Sequence, residues 1–330
     1  MDLFVNLLVK LISKLEKSDK KKYGVEITDE DTFKRYLKKS LKLKKRKKIK
    51  FFILTIANIC FFIYIRKYDM ALIISLLIEG LLTVGVLMYI DTEDDCAEMR
   101  YSKFISEVAV RSILPNATFK GWVNRPLDEF IDNRVIMYGV CKLVSMNIRD
   151  NTQGQEFEYF NLRVDSPYHS KLTNKDSTIT TFDGSIIKTR IGRGIEQGVR
   201  IITSDKEVTG EKIYNWPGQR DDEQKVDVEN IIFNETFEVY ASNYQDAFVI
   251  LSPYVTEKIL ELQKLYSKFS IVVKGDYLYI AIKQRNGLLT IPDMSTKEAI
   301  DEISIEREVE RIKYLVEFTR DINSYISGKL

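Results

Sequence analysis

The chain has 330 residues, 45% apolar and 30% charged, with 50 Lys and Arg against 48 Asp and Glu. That balance excludes a chain dominated by disorder and leaves room for one membrane segment and one or two folded units. Residues 1–50 hold 17 Lys and Arg against 7 Asp and Glu, so a basic head precedes a remainder of net charge −8; such a head suits an anionic lipid surface better than nucleic acid, which is not expected as a partner.

The scarce chemistry-bearing residues narrow the function further. Cys60, Cys96 and Cys141 are scattered and His169 is the only histidine, so neither a disulfide framework nor a cysteine or multi-histidine metal centre is expected. His169 lies in SPYHSKLTN, read as a solvated surface loop. There is no Walker loop and no dinucleotide fingerprint. No catalytic, cofactor or metal site is assigned.

In chain order, the first element is an amphipathic helix in residues 1–22, with Leu3, Phe4, Leu7, Leu8, Leu11, Ile12 and Leu15 on one stripe; it lies in the inner leaflet or packs on another helix. A second capped helix begins near Thr28 to Asp31 and completes a basic cytoplasmic segment, residues 1–48. Residues 49–65 and 70–90 are apolar runs separated by RKYD, and a span needs about 20 such residues. They are expected to form a two-helix transmembrane hairpin over residues 49–90 in the lipid bilayer of the cell membrane. Positive-inside bias then places both termini in the cytoplasm. Asn58 and Glu79 fall at similar depth and are expected to meet as a membrane polar pair, because a carboxyl inside a span needs a partner or a proton.

Residues 91–330 read as a cytoplasmic α+β domain with an antiparallel sheet and a long C-terminal helix. A helix is expected over 101–113, then strands in 134–148, 156–164, 178–191 and 198–204. Gly192, Gly194 and Gly198 read as a turn with a weaker anion-binding alternative, and residues 205–225 as a loop in which Asp221, Asp222 and Glu223 form a solvated cluster or, less favourably, a cation site. Beyond it come a strand FEVYA, a short helix around NYQDAFVIL, and a helix capped by Ser252 with Pro253 at its first position. SIVVK and YLYIAIK read as a hairpin turning at Gly275 and Asp276. Ser295 and Glu298 suggest a capping box for a long helix, whose seam of Ile305, Val309, Ile312, Val316, Thr319, Ile322 and Ile326 docks on the sheet or on a partner helix.

The stretches ENIIFNETFEVYASNYQDAFVILSPYVTEKILELQ (229–263) and KFSIVVKGDYLYIAI (268–282), with FKG at 119–121 and the preceding apolar pair, resemble the bacterial domain-of-unknown-function family 3137. The similarity covers about 229–326. It implies a membrane-anchored bacterial protein with an α+β domain and brings no catalytic residues. The function expected is a membrane-anchored interaction or scaffold module, more a binder than an enzyme, with a protein partner or a second copy of the chain. The alternatives are a carboxylate-dependent hydrolase at the inner membrane face and a small channel or transport component built on the hairpin.

Overall fold

Runs rich in β-branched and aromatic residues become the strands of a seven-stranded antiparallel sheet, beside which Glu207–Val208 and Glu211–Lys212 form a separate two-stranded one, and amphipathic segments become the helices packed on the larger sheet. The structure, a computed structural model, describes residues 29–42, 104–120, 126–152, 155–170, 175–204, 207–208, 211–212, 216–285, 287–289 and 296–328, with Lys45, Ile49 and Gly80. The helices are α1 (30–42), α2 (Asp128–Asp132), α3 (Ile231–Thr236), α4 (Tyr244–Ile250), α5 (Pro253–Leu265), α6 (Lys297–Asp301) and α7 (Ile305–Ile326). The strands are β1 (Thr118–Lys120), β2 (Val140–Thr152), β3 (Gln155–Ser170), β4 (Lys175–Thr203), β5 (Glu207–Val208), β6 (Glu211–Lys212), β7 (Gln224–Lys225), β8 (Phe237–Ala241) and β9 (Phe269–Lys283).

Two compact units divide the chain: residues 1–100 with 291–304, and residues 101–290 with 305–330. In the first, Asp29 caps α1 by accepting from the Thr32 N–H at 2.6 Å, as its sequence suggests. Phe33, Tyr36, Leu37 and Leu41 form the buried face of α1, and Lys38 pairs with Asp301 of α6.

The second unit holds the sheet, in the order β1-β2-β3-β4-β8-β7, with β9 pairing β4. β4 is the axis of this arrangement. Residues 184–189 pair with β3 and β9 at once, and 199–202 pair with β8 and β9 at once, so β3 and β8 share one edge of β4 while β9 takes the other. The expected hairpin at Gly275 and Asp276 is therefore corrected: Phe269–Lys283 is one strand running along the whole partner edge of β4. The two strands expected at 178–191 and 198–204 are likewise one strand of 29 residues.

The glycine cluster between them is a bulged stretch and not a turn. From Arg190 to Val199 β4 advances nine residues while β9 moves only the four from Tyr277 to Val273. The surplus chain is accommodated with Gly198 at φ +86°, a conformation that suits glycine. Asn323 and Ser327 of the α7 C-terminus hold it in place. Gly192 N–H donates to Asn323 Oδ1 and Ser327 Oγ, each at 3.1 Å, and Asn323 Nδ2 donates to Arg190 O at 2.9 Å. A Cβ on Gly192 would collide with Ser327 Oγ, so the helix end approaches only because that residue is glycine. With this amide committed to α7, the anion-binding alternative has lost a donor.

The seam of α7 is buried largely as its spacing predicts, at Ile305, Ile312, Val316, Thr319, Ile322 and Ile326. It docks on β4 and on the π-helical turn Ile105–Val110, and meets α5. α7 does not extend back to the expected capping box: Thr296 caps the short α6, accepting from Ala299 N–H at 3.1 Å, and α7 starts afresh at Ile305. Ser252 caps α5 as read, accepting from Val255 N–H at 3.3 Å.

The expected fold class is corrected in its membrane part. Among the described residues no helix is long and apolar enough to cross a membrane. α7, at 22 residues, has the length, but its outer side carries Glu306, Arg307, Glu310, Lys313, Glu317 and Arg320, all exposed, and such a row is too costly in hydrocarbon. What stands is an antiparallel sheet with packed helices. Residues 49–90, with Asn58 and Glu79, lie outside the described residues apart from Ile49 and Gly80, as do residues 1–24. The expected membrane placement rested on those segments.

Replacing Asn323 by Leu leaves the Arg190 carbonyl without its side-chain donor and takes one acceptor from the Gly192 N–H. Urea unfolding should show a loss of about 2 kcal/mol or more, with the second unit still folding.

Candidate functional site

Strand alternation sends Arg200, Ile202, Tyr240 and Val272 to one face of the sheet. There α2 and its following turn supply Phe130, Val135 and Ile136, and the loop after β6 supplies Trp216, to one apolar cluster. Burying a large side chain of this kind contributes about 1.5–3 kcal/mol. Trp216 is anchored by donating from Nε1 to Thr203 Oγ1 at 3.0 Å.

The loop is tied down by an ion pair that the sequence did not suggest. Arg200 donates through Nε and Nη2 to the two oxygens of Glu223, each at 2.8 Å. It also donates to the carbonyls of Pro217 and Gly218 at 3.1 and 2.9 Å, and its guanidinium lies 5.2 Å over the Tyr240 ring. Glu223 accepts in addition from Arg220 N–H at 2.9 Å. Desolvation pushes the Glu223 carboxyl up, but the hydrogen bonds from Arg200 and Arg220 outweigh it and hold it below the usual carboxylate range. Arg134, on a left-handed turn at φ +56°, is pulled down by burial and then by the Arg200 charge. Burial, then donation to Glu238 at 2.8 Å, pushes the Tyr240 hydroxyl up to about 12. The acidic run read as solvated is thus divided: Asp222 pairs with Arg220 at 2.7 Å, Asp221 is exposed, and Glu223 is buried against Arg200.

A second polar group lies beside the same cluster. Lys188 Nζ sits 2.6 Å from Glu129 Oε1 and 3.9 Å from the Tyr277 ring centroid. Tyr279 donates its hydroxyl to Glu129 at 2.9 Å, and burial followed by that bond raises its pKa. At the end of β9, Ser185 accepts from Leu288 N–H at 2.8 Å and Tyr159 from Leu289 N–H at 3.2 Å, fixing the chain after the strand on the sheet.

Carboxylate catalysis needs two desolvated acids converging on one cavity. Four of the five buried acids among the described residues meet guanidinium groups instead: Glu158 with Arg149 at 2.7 Å, Asp165 with Arg163 at 3.4 Å, Glu223 with Arg200 at 2.8 Å and Glu308 with Arg311 at 3.0 Å. Among the described residues no group of His, Cys, Asp and Glu is placed to hold a metal ion. His169 lies in β3 opposite Asp176, not in the loop expected. Cys141 lies in β2 opposite Val164, and Cys60, Cys96, Asn58 and Glu79 lie outside the described residues.

Among its charged surface residues the family-like segment presents several large apolar side chains to solvent. α3 and α4 flank β8, buried through Phe233, Ala247 and Ile250, with Phe233 4.7 Å from the Phe237 ring. Yet Ile231 is 72% exposed, Ile232 65% and Phe248 62%. Tyr244, one turn before Phe248 on α4, is exposed as well.

Comparison with known proteins places this region. Residues 180–324 match the family Protein of unknown function (DUF3137). The resemblance read from 229–263 and 268–282 is thereby shown, and the DUF3137 match reaches further back than 229 to take in most of β4. That extension makes physical sense, because β8 and β9 have no sheet to join without β4. No curated protein matches the chain. A similar solved structure is the crystal structure of the mycobacterial trehalose monomycolate transport factor A, TtfA, at 10% identity over 66% of this chain and 95% of that one, with a TM-score of 0.35; so low a score carries no argument for the DUF3137 region.

Because the folded state holds Glu223 below its ordinary value, its share of stability is complete above the unfolded carboxylate pKa, about 4.3. It is lost as pH falls through the lower folded value. Glu223→Leu alone should cost about 3–5 kcal/mol by stranding Arg200, while Arg200→Met with Glu223→Leu should recover most of it. Urea titrations across pH 3–7 check both, and the double variant should lose the part of the acid dependence that Glu223 contributes.

Proposed function

We propose that the chain is a non-catalytic interaction module that docks a protein partner through the outer faces of α3 and α4. The observation that carries this reading is the exposure of Ile231, Ile232, Tyr244 and Phe248 on two short helices whose other sides are already anchored in the core. Large apolar side chains left in water on a fixed scaffold suit the centre of a protein contact, where aromatic residues are enriched and charge is depleted. The commitment of Glu158, Asp165, Glu223 and Glu308 to arginines favours this reading over the hydrolase alternative, since a carboxylate held by a guanidinium is a poor proton acceptor.

The test is chemical cross-linking of the tagged full-length chain in cells, with Ile232→Asp/Phe248→Asp as the comparison. Both positions are exposed, so thermal stability should change little, while the cross-linked partner should be lost. A partner that proves to be a second copy would appear as a mass shift of the purified chain. An unaltered set of cross-links in the folded double variant would reject this surface as the docking site.

A further inference from the structure

The segment that carries α3 and α4 bears charge of one sign. Residues 226–257, which include both helices and β8, contain Asp227, Glu229, Glu235, Glu238, Asp246 and Glu257 and no Lys or Arg. The lysines at its two borders are themselves engaged, Lys225 with Glu238 at 3.9 Å and Lys258 with Glu261 at 3.1 Å. Asp227, Glu229 and Glu235 are exposed and Asp246 is half-buried, and none of the four has an ion-pair partner among the described residues. Glu235 lies one turn along α3 from Ile231 and Ile232, hence on the same side of the helix, and Glu229 stands just before its capping residue. The exposed apolar side chains are therefore accompanied by carboxylates that nothing within the fold neutralises.

That charge discriminates between occupants. A second copy meeting this surface with its own would bring like charges together, because a two-fold contact is self-complementary and facing charges of one sign are unfavourable. An anionic lipid surface is repelled for the same reason. A basic partner instead gains at each carboxylate while its apolar side chains cover the isoleucines and the rings. The scale suits a helix: α3 and α4 are joined by the five residues of β8, about 16 Å of strand, and a helix of about 18 residues is about 27 Å long.

We infer that this surface takes a basic amphipathic helix of a partner protein, with its apolar stripe on Ile231, Ile232, Tyr244 and Phe248 and its lysines and arginines toward Glu229, Glu235 and Asp246. The inference rests on the reading of α3 and α4 as a docking surface and adds the chemistry of what docks there. Apolar burial supplies most of the affinity in such a contact, while the charges select the partner and speed its approach.

Fluorescence anisotropy of the full-length chain with two labelled amphipathic peptides of about 18 residues, one of Leu and Lys and one of Leu and Glu in the same pattern, tests it. The Leu/Lys peptide should bind at least about tenfold more tightly, and its binding should weaken as salt rises. Glu229→Gln/Glu235→Gln/Asp246→Asn should weaken it about tenfold and flatten the salt dependence, with the thermal midpoint little changed. Ile232→Asp/Phe248→Asp should abolish it. If Asp246→Asn disturbs the first turn of α4, Glu229→Gln/Glu235→Gln carries the test with about a fivefold loss. Equal binding of the two peptides, binding of neither, or Leu/Lys binding that the folded variants retain overturns the basic occupant. A concentration-dependent mass shift of the chain alone, lost in the same variants, gives the surface to a second copy and overturns it as well. The docking surface itself survives any of these results if Ile232→Asp/Phe248→Asp still removes the cellular cross-link, and falls with the inference if that cross-link persists.

Discussion

The constraint on which the second unit depends is that one strand, β4, must serve three long-range partners. Its 29 residues pair β3, β8 and β9, and a regular strand of that length twists too far to keep straight partners along both edges. The bulged stretch between Arg190 and Val199 relieves the mismatch, since added residues bend and re-aim a strand locally. A bulge also frees backbone groups from the ladder. Asn323 and Ser327 satisfy the Gly192 N–H and the Arg190 carbonyl among them, and so the C-terminal helix becomes part of the sheet's hydrogen bonding and not merely a cover for its apolar face.

The buried charges follow from the same geometry. Where helices cover one face of the sheet and α2 and the Trp216 loop the other, an ionic group has to be paired where it lies. Arg200 stands opposite Tyr240 on β4 and β8, where the guanidinium can stack on the ring and still reach Glu223. The consequence for function is that ionic groups on this face hold loops in place.

Signals that act within a few residues were legible in the sequence. The Asp29 and Ser252 caps, the FEVYA strand and the α7 seam are all local patterns, and local patterns are what periodicity and capping report. The helix α3 escaped because it has only six residues, although Asn230, which caps it by accepting from Phe233 N–H at 3.1 Å, was a usable signal. Gly275 and Asp276 look like a two-residue turn, and Gly275 does take φ +58°, but the length of β4 opposite them decides that the chain continues as one strand. The Arg200–Glu223 pair spans a loop whose path no local rule predicts; the one clue was an arginine inside the apolar run GVRIIT. Exposure of Ile231, Ile232 and Phe248 was equally hidden, since apolar residues on short helices read as core.

The claim that β4 and its clamp join the sheet into one cooperative unit is open to a direct measurement, native-state hydrogen exchange resolved along the strand. The amides of 184–189 and 199–203 should open together at the free energy of global unfolding, with the Gly192 amide protected to a similar degree. In Asn323→Ala the Gly192 amide should become the first of them to exchange. Independent opening of the two halves of β4 in the native protein, or a Gly192 amide that exchanges freely there, would contradict the account.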